Sequence, residues 1–330
     1  MKRVVLAVLL FMFFAMEAFG ETKEIRISKQ YGLGYLSFLV LEEFKIFEKN
    51  AKKAGLGDIS VKWFTFAGGA ATNEALLSGA IDFNANGVAP FLVLWNKTNG
   101  KVKALSAYDR SRYLLNTSNP NVKTLKDFTD NDKIALPAVK VSMQALILQM
   151  AAAKEFGIEN YDKLDHLSVG LKHPDAFVAL TSGKSEVTAH FASEPFSTAE
   201  LEHKGVHTVV DSDDIVGKGF TTSIISATEK FYNENPKTVA VFLESITEAN
   251  EWINTHSAKD VAKLYLKTTN SKEPVELIEK ILLERADVKF TTKPTDITVF
   301  SDFLYKIGII KSKPSQKELF FDEVFKDKYK

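Results

Sequence analysis

The stretch from Phe66 to Gly87 constrains the fold more than any other. Small residues, Ala67-Gly68-Gly69-Ala70-Ala71, lead into an apolar helix that stops at Ser78-Gly79; a strand, Ala80 to Asn84, and a small polar turn ending at Gly87 follow. A glycine-stopped helix feeding straight into a strand is a unit of a layered α/β sheet. Glycines at the start of such a helix let another molecule approach the main chain. The unpaired N–H groups there attract negative charge by roughly 0.3–1 kcal/mol per charge. An ordinary helix with a glycine-rich lead-in accounts for the same residues, but an echo about a hundred residues later favours a functional role. There, from Phe177 on, an apolar helix closes at Ser182-Gly183, a short strand leads to His190, and the loop Phe191 to Pro195 follows. Two lobes on that plan are expected to face each other across a cleft.

Strands and helices alternate on both sides of this unit. Polar–apolar alternation predicts a strand over Glu24–Ser28. The spacing of Leu36, Leu39, Val40, Phe44, Phe47 and Ala51 predicts one helix from Tyr35 to Ala54, stopped by Gly55. Strands at Ile59–Thr65 and Val102–Ser106 flank the central unit and a helix at Val88–Asn96. After the charged and aromatic segment from Tyr108 to Asn116 a second series begins. It comprises a strand at Lys133–Leu136, an apolar helix at Val141–Phe156, a helix at Asp175–Ser182 opened by Pro174, and a strand at Val206–Asp211. From Gly217 the chain is mostly helical, its longest helix capped by Asn235-Pro236. This alternation predicts an α/β fold in which each lobe is a mostly parallel sheet flanked by helices. The simplest division makes 21–107 plus 220–330 lobe one and 116–211 lobe two, with hinge crossings at 108–115 and 212–219.

Residues 1–20 read as a cleavable signal peptide: Lys2 and Arg3 precede the apolar run Val4–Phe14, and Ala18-Phe19-Gly20 supplies the small-residue cleavage pattern. Glu17 interrupts the run, whereas a membrane anchor needs ~20 unbroken apolar residues. Cleavage near Gly20 leaves 310 of the 330 residues, a comfortable length for two domains. The chain has no cysteine. That excludes disulfides, thiolate nucleophiles, Cys-ligated metals and a lipid-bearing cysteine at the cleavage site. A soluble periplasmic protein, not a lipoprotein, is expected. Lys+Arg and Asp+Glu balance at 42 each, so nothing in the composition points to nucleic acid or a membrane surface. The expected partner is a small molecule, bound by a monomer without cofactor or metal.

Ligands of open α/β sheets sit outside the carboxyl ends of the strands, which nominates three loops in lobe one. After the first strand come Gln30, Tyr31, Gly32, Gly34 and Tyr35, where an aromatic pair could stack on a flat ligand or simply pack the loop. After the second come Phe66 and the backbone donors Gly68, Gly69 and Ala70; after the third, Asn84, Asn86 and Gly87, as ligand amides or turn formers. In lobe two the helix start at Lys140, Val141, Ser142 and Met143 should point at the cleft, with Ser142 either bonding ligand or capping its own helix. His190 and Glu194 offer polar recognition or an ion pair. At the crossings, Tyr108, Arg110, Arg112, Thr221 and Thr222 are candidates, the arginines as bidentate partners of an anion or as surface residues. The three lobe-one loops hold no Lys or Arg. Enzyme signatures are lacking: there is no His-Glu-x-x-His, no Gly-x-Ser-x-Gly elbow, and Gly183-Lys184-Ser185 lacks the earlier glycine of a phosphate loop. His203 and His207 are four apart, but Gly205 breaks the helix that would align them.

Three segments, in order and spacing, carry a resemblance. They are Leu76-Leu77-Ser78-Gly79-Ala80-Ile81-Asp82-Phe83, Ile134-Ala135-Leu136-Pro137 with its following helix, and Phe231-Tyr232-Asn233-Glu234-Asn235-Pro236 with the helix through Glu248-Ala249-Asn250. The chain resembles the periplasmic solute-binding proteins of ABC importers, in the nitrate/sulfonate/taurine branch that also contains thiamin-precursor binders. The resemblance spans nearly the whole chain after the signal. It implies a two-lobe, type II-like binding-protein fold, a ligand clamped between the lobes, delivery to a membrane permease and no chemistry on the ligand. A small organic anion such as a sulfonate, or a nitrate-like oxyanion, ranks first. A neutral pyrimidine or thiamin precursor is the alternative, and an enzyme or sensor domain on the same fold competes. Pyrimidine-forming relatives carry a cysteine-rich motif that is absent here.

Overall fold

The first strand, β1 (Glu24–Lys29), buries Ile25 and Ile27 as its alternation requires. The structure, a computed structural model, describes residues 20–284 and 290–322; the expected signal peptide, but for Gly20, lies outside them. Helices α1 (Leu36–Phe44) and α2 (Ile46–Lys53) follow, then β2 (Ser60–Thr65), α3 (Gly69–Leu77), β3 (Asn84–Gly87), α4 (Val88–Lys97) and β4 (Val102–Asp109). The second series is β5 (Tyr113–Thr117), β6 (Ile134–Leu136), α5 (Met143–Phe156), β7 (Ser168–Gly170), α6 (His173–Ser182), β8 (Ala189–Ser193), α7 (Phe196–Leu201), β9 (His207–Asp211) and α8 (Ser212–Val216). The chain returns through β10 (Ser223–Thr228). Helices α9 (Glu229–Glu234), α10 (Pro236–Thr255), α11 (Ala258–Thr269), α12 (Val275–Glu284), α13 (Thr298–Lys306) and α14 (Gln316–Leu319) follow.

Both lobes share one topology. β1 and β2 pair in parallel, Ile27 bridges Phe83 just ahead of β3, and β10 lies between β3 and β4, antiparallel to both. The resulting order β2-β1-β3-β10-β4 matches β7-β6-β8-β5-β9 in the second lobe. There β5 is antiparallel to its neighbours β8 and β9. The sheets are therefore mixed. β5 and β10 each follow a crossing made at the carboxyl ends of the other strands, so each must run the opposite way. The sequence echo is a true equivalence of place: α3 and β3 sit where α6 and β8 sit. Both helices stop on left-handed glycines, Gly79 at φ 72° and Gly183 at φ 62°.

The apolar packing is not divided as the sheets are. One cluster joins α1 and α2 to α10, α11 and α12, with Phe83 stacked on Phe242 at 3.9 Å. A second cluster holds Phe91 and Leu92 of α4 and Phe300 of α13 together with Leu146 of α5 and Leu115 of β5. The hydrophobic core thus continues from the first sheet's helices into the second lobe.

Three local expectations change. The helix expected from Tyr35 to Ala54 breaks at Lys45, which is left-handed at φ 50°; the break lets α1 and α2 both pack on α10. The strand expected at Ala80–Asn84 starts at Asn84 instead, because its partner β10 comes from far along the chain and pairs Ser226 with Asn84 and Ser223 with Gly87. Long-range pairing here overrides the poor strand propensity of Asn-Ala-Asn-Gly. Asn235 precedes α10, but its side chain does not cap it. The Glu21 carboxylate does so from the start of the described chain, accepting the N–H groups of Lys237 at 2.8 Å and Thr238 at 2.9 Å. Glu21→Ala is expected to lower stability by about 1–2 kcal/mol, the range for losing a helix cap; urea unfolding checks this.

Candidate functional site

The carboxyl ends of β1, β3, β6 and β8 converge on a cavity of about 50 Å³ lined from both lobes. Gln30, Tyr31, Gly34 and Tyr35 follow β1, Ala67 and Gly69 open α3, and Asn86, Gly87 and Pro90 end β3 and begin α4. The second lobe supplies Pro137 after β6, Ser142, Met143 and Gln144 at the start of α5, His173 at the start of α6 and Ser193 at the end of β8. The crossings add Asp109, Ser111, Tyr113 and Ser223. Ser142 caps α5 by accepting the N–H of Ala145 at 3.1 Å while also lining the cavity.

Nine of the expected residues line this cavity: Gln30, Tyr31, Gly34, Tyr35, Gly69, Asn86, Gly87, Ser142 and Met143. The others sit elsewhere, for legible reasons. Gly32 and Gly68 are points where the lobes touch: a Cβ at Gly32 would lie 2.8 Å from the Glu194 carbonyl oxygen, and one at Gly68 would lie 2.6 Å from that of Pro137. The Leu33 N–H donates to the same Glu194 oxygen at 2.8 Å. The Glu194 carboxylate turns instead to Thr198, 2.8 Å away, and does not pair with His190. Phe66 packs on the apolar cluster of Leu76 and Ile81, and Ala70 lies on the first turn of α3 outside the cavity lining. Asn84 is fully buried and donates to Asn73 at 3.2 Å, part of an amide network that also ties Asn86 to Asn73 at 2.9 Å. Tyr108 is buried against the rings of Tyr35 and Phe38, at 5.5 and 5.0 Å. Thr221 bonds Thr295, and Thr222 accepts the N–H of Ser111, so both fix the returning crossing. Arg110 donates to the Lys293 carbonyl at 3.0 Å, and Arg112 grips Asp211 with two nitrogens. Neither arginine lines the cavity.

Among the described residues lining the cavity, Asp109 is the one Asp, Glu, Lys or Arg. It is 4% exposed and accepts the Ser111 hydroxyl. Two helix N-termini, those of α3 and α5, contribute Gly69 and Met143 to the wall, supplying partial positive charge without a cation. No group of three or more His, Asp and Glu side chains among the described residues is placed to hold a metal ion.

Behind the second-lobe wall lies a buried polar file. His173 touches Gln144 at 3.1 Å and His190 at 2.8 Å, and His190 meets Glu200 at 2.5 Å. Burial pushes the Glu200 carboxyl up to about 8, lowers His190 to about 3, and lowers His173 well below its ordinary value. While Glu200 holds its proton, its contact with His190 is a hydrogen bond between neutral groups and not an ion pair. The two-ring stack of His173 on Phe196, 5.6 Å apart and 19° off parallel, holds the first imidazole in place.

The NMT1-like family matches over residues 20–266, well over half of the chain. The chain belongs to that family. Among solved structures, the alkanesulfonate-binding protein SsuA from Xanthomonas axonopodis pv. citri, bound to MOPS, superposes with a TM-score of 0.72 at 16% identity, covering 91% of this chain and 99% of that one. The periplasmic aliphatic sulphonate-binding protein SsuA from Escherichia coli gives 0.67 at 20% identity, covering 93% and 100%. The periplasmic nitrate-binding protein NrtA from Synechocystis PCC 6803 gives 0.68 at 12%, covering 91% and 84%. No curated protein matches the sequence. The fold is that of the two-lobe periplasmic binding proteins. No helix among the described residues is long and apolar enough to cross a membrane.

His173, Gln144, Asp109 and Ser111 line the cavity without having been singled out as site residues. The echo contained the signal for His173. Its helix begins at His173, two residues before the expected Asp175, and His173 there is the counterpart of Gly69 at the start of α3. Asp109 and Ser111 flank Arg110, and no local pattern sets a single carboxylate and hydroxyl apart from others in the chain.

Glu200 and the two histidines make stability depend on pH in opposite senses. Glu200, raised from 4.5 to about 8, holds its proton longer when folded, so its stabilisation is full below pH 4.5 and drains away as pH rises to 8. His173 and His190 are lowered from 6.5, so their contribution is full above 6.5 and is lost as pH falls. Between pH 6.5 and 8 Glu200 acts alone among the three, with a slope of up to about 1.4 kcal/mol per pH unit. Wild-type stability to urea is expected to decline over that window, and Glu200→Gln to decline less. Parallel profiles would show that Glu200 is ionised throughout.

Proposed function

We propose that the protein is a periplasmic solute receptor that closes two lobes around one small molecule and hands it unaltered to an ABC permease. The observation that carries this reading is the position of the cavity. It lies between the lobes, at the carboxyl ends of equivalent strands in each, and next to both chain crossings. Residues 110–112 and 217–222, between the last strand or helix of one lobe and the first strand of the other, are the natural hinges. Membership of the NMT1-like family and likeness in fold to sulfonate- and nitrate-binding proteins support the same role.

The wall favours a small zwitterion, or a neutral solute with separate donor and acceptor ends, over a simple oxyanion. An acceptor end meets the N-termini of α3 and α5, and a donor or ammonium end meets Asp109. A nitrate-like ion would face the Asp109 carboxylate with no Lys or Arg in the wall to offset it. At 4 Å and an effective dielectric constant of ~20 that repulsion costs roughly 4 kcal/mol. Tyr31, Tyr35 and Tyr113 supply flat apolar faces for the body of the solute.

A thermal-shift screen of the mature chain tests this, with taurine and MOPS as zwitterions, ethanesulfonate as a simple anion, and nitrate. At a hundred times its dissociation constant a true ligand stabilises by about 2.7 kcal/mol. A zwitterion is expected to raise the melting temperature while nitrate does not, and Asp109→Asn is expected to erase the difference. A shift with nitrate alone would overturn the charge assignment, and silence across a wide solute panel would overturn the receptor role.

Closure itself has a separate check. The Cβ of Gly68→Val would enter the space of the Pro137 carbonyl across the cleft. This variant is expected to remain folded but to bind any ligand from that screen at least tenfold more weakly, as read by calorimetry.

A further inference from the structure

His173, His190 and Glu200 form a single file of hydrogen bonds running from the cleft into the second lobe. Gln144 Nε2 lies 3.1 Å from His173 Nε2, His173 Nδ1 lies 2.8 Å from His190 Nε2, and His190 Nδ1 lies 2.5 Å from Glu200 Oε1. The second carboxyl oxygen of Glu200 accepts from Asn116 Nδ2 at 3.0 Å. His190 and Glu200 are 0% exposed, whereas His173 and Gln144 keep 6% each at the cavity wall. The cleft is the wet end of the file.

A neutral imidazole donates through one nitrogen and accepts through the other, so every bond in the file must point the same way. Two directions satisfy it. With Glu200 ionised, Gln144 N–H donates to His173 Nε2, His173 Nδ1–H to His190 Nε2, and His190 Nδ1–H to the carboxylate. With Glu200 protonated, its O–H donates to His190 Nδ1 and His190 Nε2–H donates to His173 Nδ1. His173 Nε2–H then needs an acceptor, which is the Gln144 carbonyl once the amide has turned over. The states differ by one proton. Water in the cleft delivers it to His173 Nε2, the Nδ1 proton of His173 passes to His190 Nε2, and the Nδ1 proton of His190 passes to Glu200. Neither ring is left charged, in keeping with the burial that holds both imidazoles neutral.

We propose that Glu200, acting through His190 and His173, decides which end of the Gln144 amide faces the ligand. When Glu200 carries its proton, Gln144 turns its NH₂ group to the cleft and selects solutes with an acceptor oxygen, such as a carboxylate, sulfonate or carbonyl. When Glu200 is ionised, the Gln144 carbonyl faces the cleft and that preference is lost. The inference rests on the receptor reading given above, and Glu200 is a positioning residue that never meets the solute. Charged and titratable groups around the file are few. Lys172, which precedes α6, and Asp175 on its first turn pair at 3.5 Å, the Glu194 carboxylate is held by Thr198, and His203, just beyond α7, favours the ionised form of Glu200. β5, β6 and α5 present Asn116, apolar residues and Gln144 to it.

The experiment is an NMR titration without added solute. Protein carrying ¹⁵N in its histidine rings and glutamine amides is followed from pH 5 to 9.5. Both rings are expected to stay neutral and to exchange Nε2–H for Nδ1–H together, at one shared midpoint, with the Gln144 amide signals moving at the same pH. In Glu200→Gln the new amide N–H replaces the carboxyl O–H as donor and its carbonyl still accepts from Asn116. Both rings are then expected to hold the Nε2–H form at every pH. Titration of either ring to imidazolium, an unchanged tautomer in the wild type, or a transition surviving in Glu200→Gln each overturns the proposal. If that variant does not fold, the wild-type titration decides alone. Solute plays no part in this measurement, so its failure leaves the receptor role intact, and a ligand screen that finds nothing leaves the titration intact.

Discussion

The close approach of the two lobes at positions without side chains is the constraint on which the rest of the structure depends. Gly32 lies against the Glu194 main chain, Gly68 against Pro137, and Gly87 against Met143, where an added Cβ would come within 2.7 Å of the side chain. Gly32 and Gly68 lie outside the cavity lining, whereas Gly87 meets Met143 where both line it. What they secure is contact across the cleft, and with it the enclosed space between Tyr31, Asn86, Ser142 and His173. The main-chain bond from Leu33 to Glu194 and the bond from the Ala89 N–H to the Met143 sulfur at 3.0 Å hold the same seam.

The α/β character and the positions of most strands and helices could be read from local pattern. Glycine stops and apolar periodicity are local signals, and β1, β2, α5 and α6 fall close to where they are expected. Features set by distant partners could not be read that way. The shift of β3 to Asn84–Gly87 and the antiparallel course of β5 and β10 depend on strands far along the chain. Glu21 capping α10 is a contact between residues more than two hundred positions apart.

The candidate site divides along the same line. Loops that follow strands were legible, and Gln30, Tyr31, Asn86 and Ser142 line the cavity as strand-end geometry requires. Side chains chosen for their charge fared differently. Arg112 and Glu194 bond to side chains within the protein, and Arg110 donates from one nitrogen to the Lys293 carbonyl while its buried Nε has no partner. His190 is a second-rank member of a file whose cleft-facing end is His173. The wall is instead built from hydroxyls, amides, aromatic rings and one carboxylate, a set whose members are too common in sequence to stand out individually.

The apolar cluster that runs from α4 and α13 into α5 has a mechanical consequence. Separating those helices would expose Phe91, Leu146 and Phe300 to water, at a cost of roughly 1.5–3 kcal/mol for each side chain. That flank therefore stays shut, as the spine of a book does. Tyr31 and Leu39 line a wider space of about 450 Å³ with Pro195 and Phe196, away from that packed flank, so under the proposed receptor role opening would fall to the lobe contacts that do not bury large apolar side chains.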